Sequence, residues 1–378
     1  MTTDGRPRGR IEGLLQEVVQ RGGSDLVLVV GNPPVALVHG RAVRLAGASL
    51  RPSDIEELLA GILSPERRKL LHENREIDLA LATPAGRFRI NAFYQRGGPA
   101  LVARSVQARI PTIGDLGLPV ELVTLASTKH GLIFVTGPTG SGKSTTLAAM
   151  IDHCNQHVGG HIVTIEDPIE FVHPHKSAVV TQREVGTDVP TYGDAIRSLL
   201  RQAPTIVLVG ETRDEETARA LLRVAETGHL ALSTLHAANV LQSLERFVDL
   251  FPPTHQRQMW LYLSLELAGV ISQRLVPVAV GEGRVAAFEI FIPTPHARTL
   301  LASGSLEELG DYIREFSGRE GICSFEDYLL RLVEADLITP TAAVAYSDKP
   351  GDLQIRLRKL DARRHPESVN QVQFRLLE

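Results

Sequence analysis

Gly137, Pro138, Thr139, Gly140, Ser141, Gly142, Lys143 and Ser144 follow one another as Gly-x-x-x-x-Gly-Lys-Ser, a spacing suited to gripping phosphate. The glycines let backbone N–H groups turn inward around an anion, and a helix opening near Gly142 adds its positive end. Lys143 is expected to neutralise the β- and γ-phosphates of ATP, and the Ser144 hydroxyl to ligate Mg²⁺. Thr145 completes the expected nucleotide contacts. A predicted strand precedes this loop and a predicted helix follows it, which separates a Walker A motif from a chance glycine-rich turn.

Other residues have the chemistry to complete a phosphoryl-transfer site. Glu211 ends an apolar strand, where a Walker B acid would stand at the carboxyl edge of a sheet and hold Mg²⁺ through water. Glu166, Asp167 and Glu170 follow another strand, and acids so close repel one another unless a cation or a water-activating role compensates. One such carboxylate is needed to orient and deprotonate the attacking water. His229 and His236 frame a further strand, with Thr234 near its end, an arrangement that suits a sensor of the γ-phosphate. Zinc finds no cysteine or carboxylate at ligand spacing from them. Arg87, Arg89, Arg96 and Arg104 cluster earlier in the chain; Arg89 and Arg104 lie in strand-like runs from which they could reach a nucleotide. The plainer alternatives are a solvated strand-end charge, an acidic loop, a core histidine and surface arginines.

These groups need elements to hold them. Apolar residues at helical spacing over 11–19 stop at Gly22 and Gly23. Short strands follow at 26–30, 35–39 and 43–45, then helices opening at Ser53 and Ser64, then strands at 76–83, 87–93 and 100–106. Residues 1–108 read as a small α+β domain on an antiparallel sheet. A Pro- and Gly-punctuated linker spans 109–119. Continuous apolar strands at 132–136, 162–165, 206–209 and 230–233 alternate with helices, the pattern of a mainly parallel sheet covered on both faces. This α/β core is expected over 120–290. From about 240 onward the pattern reads as mostly helical, with a C-terminal helical region over 291–360 and a charged tail over 361–378.

The 378 residues suit two domains, and 43% hydrophobic with 22% charged residues is an ordinary globular balance. A formal charge of −4 carries no polycation signature, so no nucleic-acid partner is expected. Two distant cysteines, Cys154 and Cys323, fit a reducing compartment. No run approaches the roughly 20 apolar residues of a spanning helix, so a cytoplasmic protein is expected, meeting a membrane through partners.

The motifs resemble one family closely: the secretion-superfamily ATPases, specifically the twitching-motility retraction ATPases of bacterial type IV pili. The resemblance runs from about residue 10 to 360. It rests on residues 24–34 and 87–93, the Walker A loop with 145–150, an acidic box at 164–171, residues 182–185, the Walker B stretch 209–214 and a histidine box at 228–236. It implies a ring-shaped homo-hexameric motor with an N-terminal PAS-like domain and a C-terminal RecA-like domain. Glu170 would match the general base and Glu211 the Walker B acid. His229 and His236 would match the histidine-box pair, and Arg89 and Arg104 the arginines that reach the nucleotide. The partners implied are a platform protein of the inner membrane, at whose cytoplasmic face the ring would sit, and a paralogous retraction ATPase. Residues 235–239, 295–301 and 347–356 are similar to the accessory, PilU-type branch; the main, PilT-type motor is the alternative. Val27 and Leu28 replace a histidine-containing pair of the family, and Gln202–Thr205 an acidic stretch.

Two other classes compete. A nucleotide-dependent scaffold would bind ATP and turn it over little, and the acids at 170 and 211 count against it. A nucleic-acid translocase would need salt-sensitive DNA binding, against which the net charge counts.

Overall fold

The computed structural model describes residues 7–38, 40–106 and 109–364. The chain divides into two compact units, Met1–Ile110 with Pro168–Val172, and Pro111–Asp167 with His173–Glu378. Of the tail expected over 361–378, residues 361–364 finish the last helix and the rest lies outside the described residues.

In the first unit, α1 (Pro7–Gln20) leads into β1 (Gly23–Val29), β2 (Val35–Val38) and β3 (Arg41–Arg44). Next come α2 (Pro52–Ile62) and α3 (Pro65–Asn74), then β4 (Glu76–Thr83), β5 (Gly86–Gln95) and β6 (Gly98–Ser105). Among the described residues the strands form a six-stranded sheet in the order β3-β2-β1-β6-β5-β4, antiparallel at every pairing. Ser64 starts α3 by accepting a hydrogen bond from the Arg67 N–H at 3.3 Å, which satisfies a donor the helix itself cannot. One face of the sheet is covered: Ile11, Leu15 and Val18 of α1 and Ile55 and Leu58 of α2 pack on Leu26, Leu28, Phe88 and Ile90. The opposite face keeps alternate residues such as Arg89 and Arg104 in water, as an antiparallel sheet permits.

The second unit runs α4 (Val120–Ala126), β7 (Gly131–Thr136), α5 (Lys143–His157), β8 (Gly160–Glu166), β9 (Ala178–Glu184), α6 (Tyr192–Leu199) and β10 (Ile206–Val209). It continues through α7 (Glu215–Glu226), β11 (Leu230–Leu235), α8 (Val240–Asp249), α9 (Pro253–Glu266), β12 (Leu267–Pro277) and β13 (Arg284–Phe291). It closes with α10 (Pro295–Ser303), α11 (Leu306–Glu315), α12 (Phe325–Glu334), α13 (Pro340–Ala345) and α14 (Pro350–Arg364). The sheet order is β13-β12-β7-β11-β10-β8-β9, parallel except for the antiparallel edge strand β13. Alternate residues of each central strand enter separate cores. Phe134, Val163 and Val207 pack with α6 to α11 on one face, and Val135, Ile162 and Leu208 with α4 and α5 on the other. That double burial is why these strands read as continuous apolar runs.

The helical expectation from residue 240 onward fails at β12 and β13. Leu267–Pro277 is buried on both faces, so the alternation that marks a strand disappears and a short apolar run reads equally as helix. β9 was likewise invisible as a strand, since Gln182, Arg183 and Glu184 carry its polar end.

Candidate active site

The glycine loop joins β7 to α5 at the carboxyl edge of the parallel sheet. Gly137 has φ 147° and Gly142 φ 90°, both in the region that favours glycine. Space matters as much as angle: a Cβ on Gly137 would stand 2.4 Å from the Gln273 carbonyl oxygen and 2.6 Å from Ser141 Oγ. Gln273, on neighbouring β12, therefore braces the loop from below. Its side chain also accepts a hydrogen bond from Thr146 Oγ1 at 2.7 Å, tying the first turn of α5 to the sheet. Lys143 Nζ donates to the carbonyls of Gly137 (2.9 Å) and Pro138 (3.0 Å), which holds its ammonium across the loop.

Glu211 stands at the same edge. Its backbone neighbours are pinned: the Gly210 N–H donates to the Ile165 carbonyl (2.8 Å), the Thr212 N–H to the Thr234 carbonyl (3.0 Å), and Thr234 Oγ1 to the Gly210 carbonyl (2.7 Å). The carboxylate pairs with Arg213 Nη2 at 2.7 Å and lies 3.2 Å from His236 Nε2. Burial alone would raise its pKa. The Arg213 hydrogen bond and the charges of His236, Arg213 and Lys143 outweigh burial and hold it below the usual glutamate range. Lys143, Glu211 and His236 thus share one electrostatic environment, with Glu211 ionised inside it. The Tyr192 hydroxyl opens α6 beside them. Burial first, then the charges of Asp167 and Glu211, push its pKa up, which keeps it a hydrogen-bond donor.

The structure separates other residues that the sequence grouped. His229 and His236 lie at opposite ends of β11, about 20 Å of strand apart. The His229 carbonyl accepts from the Gly131 N–H at the start of β7, so His229 occupies the sheet edge away from the loop. Its Nδ1 lies 2.9 Å from Thr227 Oγ1 and 3.3 Å from the Val224 carbonyl, at the end of α7. The two histidines of the expected pair thus stand at opposite ends of one strand, and of the two it is His236 that lies beside Glu211. The acidic box divides as well. Glu166 accepts from Thr164 Oγ1 (2.6 Å) and Gln182 Nε2 (3.0 Å) within the sheet. Asp167 is exposed, and Glu170, also exposed, falls in the segment grouped with the first unit.

In the first unit, register brings Arg89 of β5 directly opposite Arg104 of β6. Arg104 Nε donates to Asp25 Oδ1 at 2.7 Å, and Arg89 Nε lies 3.8 Å from Asp78 Oδ1. Sequence reasoning missed Gln273, Arg213 and Tyr192 as parts of the site. A polar amide within the apolar run of β12 was the available signal for Gln273; the other two gave none beyond their neighbours.

A family model for the type II/IV secretion system protein matches residues 65–327. The type IV pilus ATPase PilU of Pseudomonas aeruginosa is 41% identical over 348 residues, covering 92% of this chain and 91% of that protein. The type IV pilus retraction ATPase PilT of the same organism is 41% identical over 330 residues, covering 87% and 95%. The crystal structure of the pilus retraction motor PilT with bound ADP matches with a TM-score of 0.85 at 41% identity, over 91% of this chain and 98% of that one. The ATPase DotB of Legionella pneumophila matches with a TM-score of 0.78 at 28% identity, over 90% and 96%. The chain belongs to the type II/IV secretion system protein family and, within it, to the PilT/PilU group of type IV pilus retraction ATPases.

Proposed function

We propose that this chain is a mechanochemical P-loop ATPase that couples ATP hydrolysis to pilus retraction as a homo-hexamer, in the accessory PilU-type role. The observation that carries the catalytic part is the meeting of Lys143, Glu211 and His236 at the carboxyl edge of one parallel sheet, above a glycine loop with a helix behind it. A triphosphate seated there exchanges with the carbonyls of Gly137 and Pro138 for the Lys143 ammonium. Backbone N–H groups of the loop and of the first turn of α5, Pro138 having none to offer, take the remaining oxygens. Mg²⁺ bound with a nucleotide takes one or two protein oxygens besides phosphate and water. The Ser144 hydroxyl and the ionised Glu211 are donors of that hard-oxygen kind and would hold the ion, which when bound would neutralise charge on the transferred group. As the family resemblance implies, Glu170 would be the general base for the attacking water, and Arg89 and Arg104 the arginines that supply positive charge to the transition state.

The sheet of the first unit supports a PAS-like reading, since β6 returns to pair with β1 after an intervening pair of helices. The 41% identity to both PilU and PilT does not separate the two branches, and the accessory role rests on residues 235–239, 295–301 and 347–356. The ring would dock on a platform protein at the inner face of the cytoplasmic membrane; among the described residues no helix is long and apolar enough to cross it.

Phosphate release by purified protein tests the chemistry. Lys143→Ala should abolish both nucleotide binding and turnover. Glu170→Gln should keep binding and lower turnover about a hundredfold. Parent-like release from Lys143→Ala would end the assignment, and low, unchanged release in parent and Glu170→Gln alike would favour a nucleotide-binding scaffold. Complementation of strains lacking one retraction motor or the other decides the branch: rescue of the accessory deletion alone is expected, and rescue of the main one would reverse it.

A further inference from the structure

The loop that carries the chain away from His236 is clamped to the C-terminal helices. Residues 236–239 join β11 to α8, and Arg274 of β12 holds them at Ala238. Its Nη2 donates to the Ala238 carbonyl (2.9 Å) and to Asp348 Oδ1 (2.5 Å), and its Nη1 to the Tyr346 carbonyl (2.5 Å). The guanidinium lies over the Phe325 ring, 4.0 Å from its centroid, and the side chain is only 12% exposed. Asp348 closes the circuit by accepting from Asn239 Nδ2 at 3.3 Å, while Asn239 Oδ1 caps α8 through the Gln242 N–H at 3.0 Å. On the far side, Glu326 Oε1 of α12 accepts from Ser347 Oγ, the Asp348 N–H and the Lys349 N–H. The turn that opens α14 is thus fastened both to α12 and to the loop after His236.

Strand alternation explains how β12 serves two masters. Gln273 braces the glycine loop, and the next residue, Arg274, points to the other face and holds the His236 loop. A planar guanidinium satisfies several acceptors only in one relative arrangement. Ala238 is two residues past His236, so a shift of His236 towards a γ-phosphate displaces the carbonyl that Arg274 grips. The fork then cannot keep Ala238, Tyr346 and Asp348 together.

We propose that Arg274 and Asp348 are positioning residues that couple the seating of the 346–349 turn, and with it α14, to what His236 meets in the nucleotide site. The coupling rests on the nucleotide-site reading above. It makes the C-terminal helices of the second unit a moving part of the ATPase cycle. Neither residue is among the nucleotide contacts proposed above, so each would act through the loop that follows His236.

Two measurements on the full-length protein test it. In steady-state hydrolysis, Asp348→Ala and Arg274→Lys should each lower kcat by about fivefold or more, the low end of typical coupling energies, with KM for ATP within about twofold. A purely structural staple would instead lower Tm and leave the kcat of folded protein unchanged. In hydrogen exchange, saturation with a non-hydrolysable ATP analogue should change the rate at residues 346–349 of the parent by about fivefold or more, and that response should vanish in Asp348→Ala. Asp348 is one-third exposed, so this variant keeps the experiment readable if Arg274→Lys folds poorly. Parent-like kcat in folded Asp348→Ala, or no nucleotide response at 346–349 in the parent, overturns the proposal. A parent that binds the analogue but hydrolyses no ATP removes the enzymatic reading alone, because the exchange response then decides the coupling by itself.

Discussion

His236 Nε2 stands 3.2 Å from Glu211 Oε1, and the two residues come from the ends of adjacent parallel strands. Parallel register makes that meeting obligatory: Val209 lies beside Ser233, so Glu211 and His236 leave the sheet within a few residues of each other. Glu211→Gln removes the charge that offsets Arg213, His236 and Lys143 and should lower kcat by about a hundredfold while ADP affinity stays near the parent. His236→Ala should cost kcat roughly tenfold. His229→Ala should instead act on stability and leave the kcat of folded protein near the parent value. Coupled phosphate-release assays beside thermal melts separate these, and equal kinetic losses at both histidines would contradict the placement of His229 away from the loop.

Arg104 and Arg89 face each other across β5 and β6, and the pair is held apart by separate acids. Arg104 is 71% exposed, but its partner Asp25 is buried, with a side chain only 6% exposed, so removing the guanidinium leaves a buried carboxylate that keeps the Ser24 hydroxyl and should cost about 1–3 kcal/mol. Arg104→Ala should therefore lower Tm by several degrees, and turnover measured on the folded protein, below its own melting temperature, should be abolished. Mixing it with Lys143→Ala protein should restore part of the activity if the arginine acts across a subunit boundary. No recovery at any mixing ratio would count against action in trans.

Gly137 and Gly281 both have positive φ, 147° and 84°, but only Gly137 is crowded. Gly281→Ala meets open space and should cost about 1 kcal/mol, the left-handed penalty alone. Gly137→Ala drives a methyl group against the Gln273 carbonyl and should cost about 1–3 kcal/mol or more, with loss of nucleotide binding. Denaturant unfolding and nucleotide titration of the two variants compare them directly; a Gly137→Ala protein with parent-like affinity would mean the loop tolerates displacement.

Glu289 of β13 is partly buried beside the start of α8, where its Oε2 accepts from the Val240 N–H at 2.7 Å. Burial pushes its carboxyl up to about 8; the Val240 hydrogen bond and Arg274 oppose this, and Asp348 and Glu326 add to it. The folded chain therefore keeps a proton, between the ordinary glutamate value and about pH 8, that the unfolded chain releases. The native state binds more protons, so stability falls as pH rises through that window and levels off above it. Glu289→Gln keeps an acceptor for Val240 without the charge. Its Tm should exceed the parent's by on the order of 5 °C at pH 9, with the gap shrinking towards pH 5. Parallel curves for the two proteins would show that ionisation of Glu289 carries no such cost.

The linear sequence by itself determined the strand–loop–helix unit around Lys143, the acid after β10 and the class of parallel sheet. Each is written in neighbouring residues: glycine spacing, a carboxylate at a strand end, a continuous apolar run. It also determined where the chemistry would be sought, because a phosphate grip needs consecutive backbone N–H groups and cannot be assembled from scattered residues. What only the tertiary structure decided depends on register and strand order, which no local pattern records. Whether His229 or His236 meets Glu211 follows from which end of β11 lies at the carboxyl edge of the sheet. That Gln273 braces the glycine loop follows from β12 lying beside β7, 136 residues of separation closed by the Thr136–Ser272 contact. The clamp of Arg274 on Ala238, Tyr346 and Asp348 joins three distant segments, and its members read in isolation as an arginine in a strand, a loop alanine, a tyrosine and a surface acid. Local propensity acts over a few residues, while burial and hydrogen bonding act over ångströms, and only the folded chain converts one distance into the other.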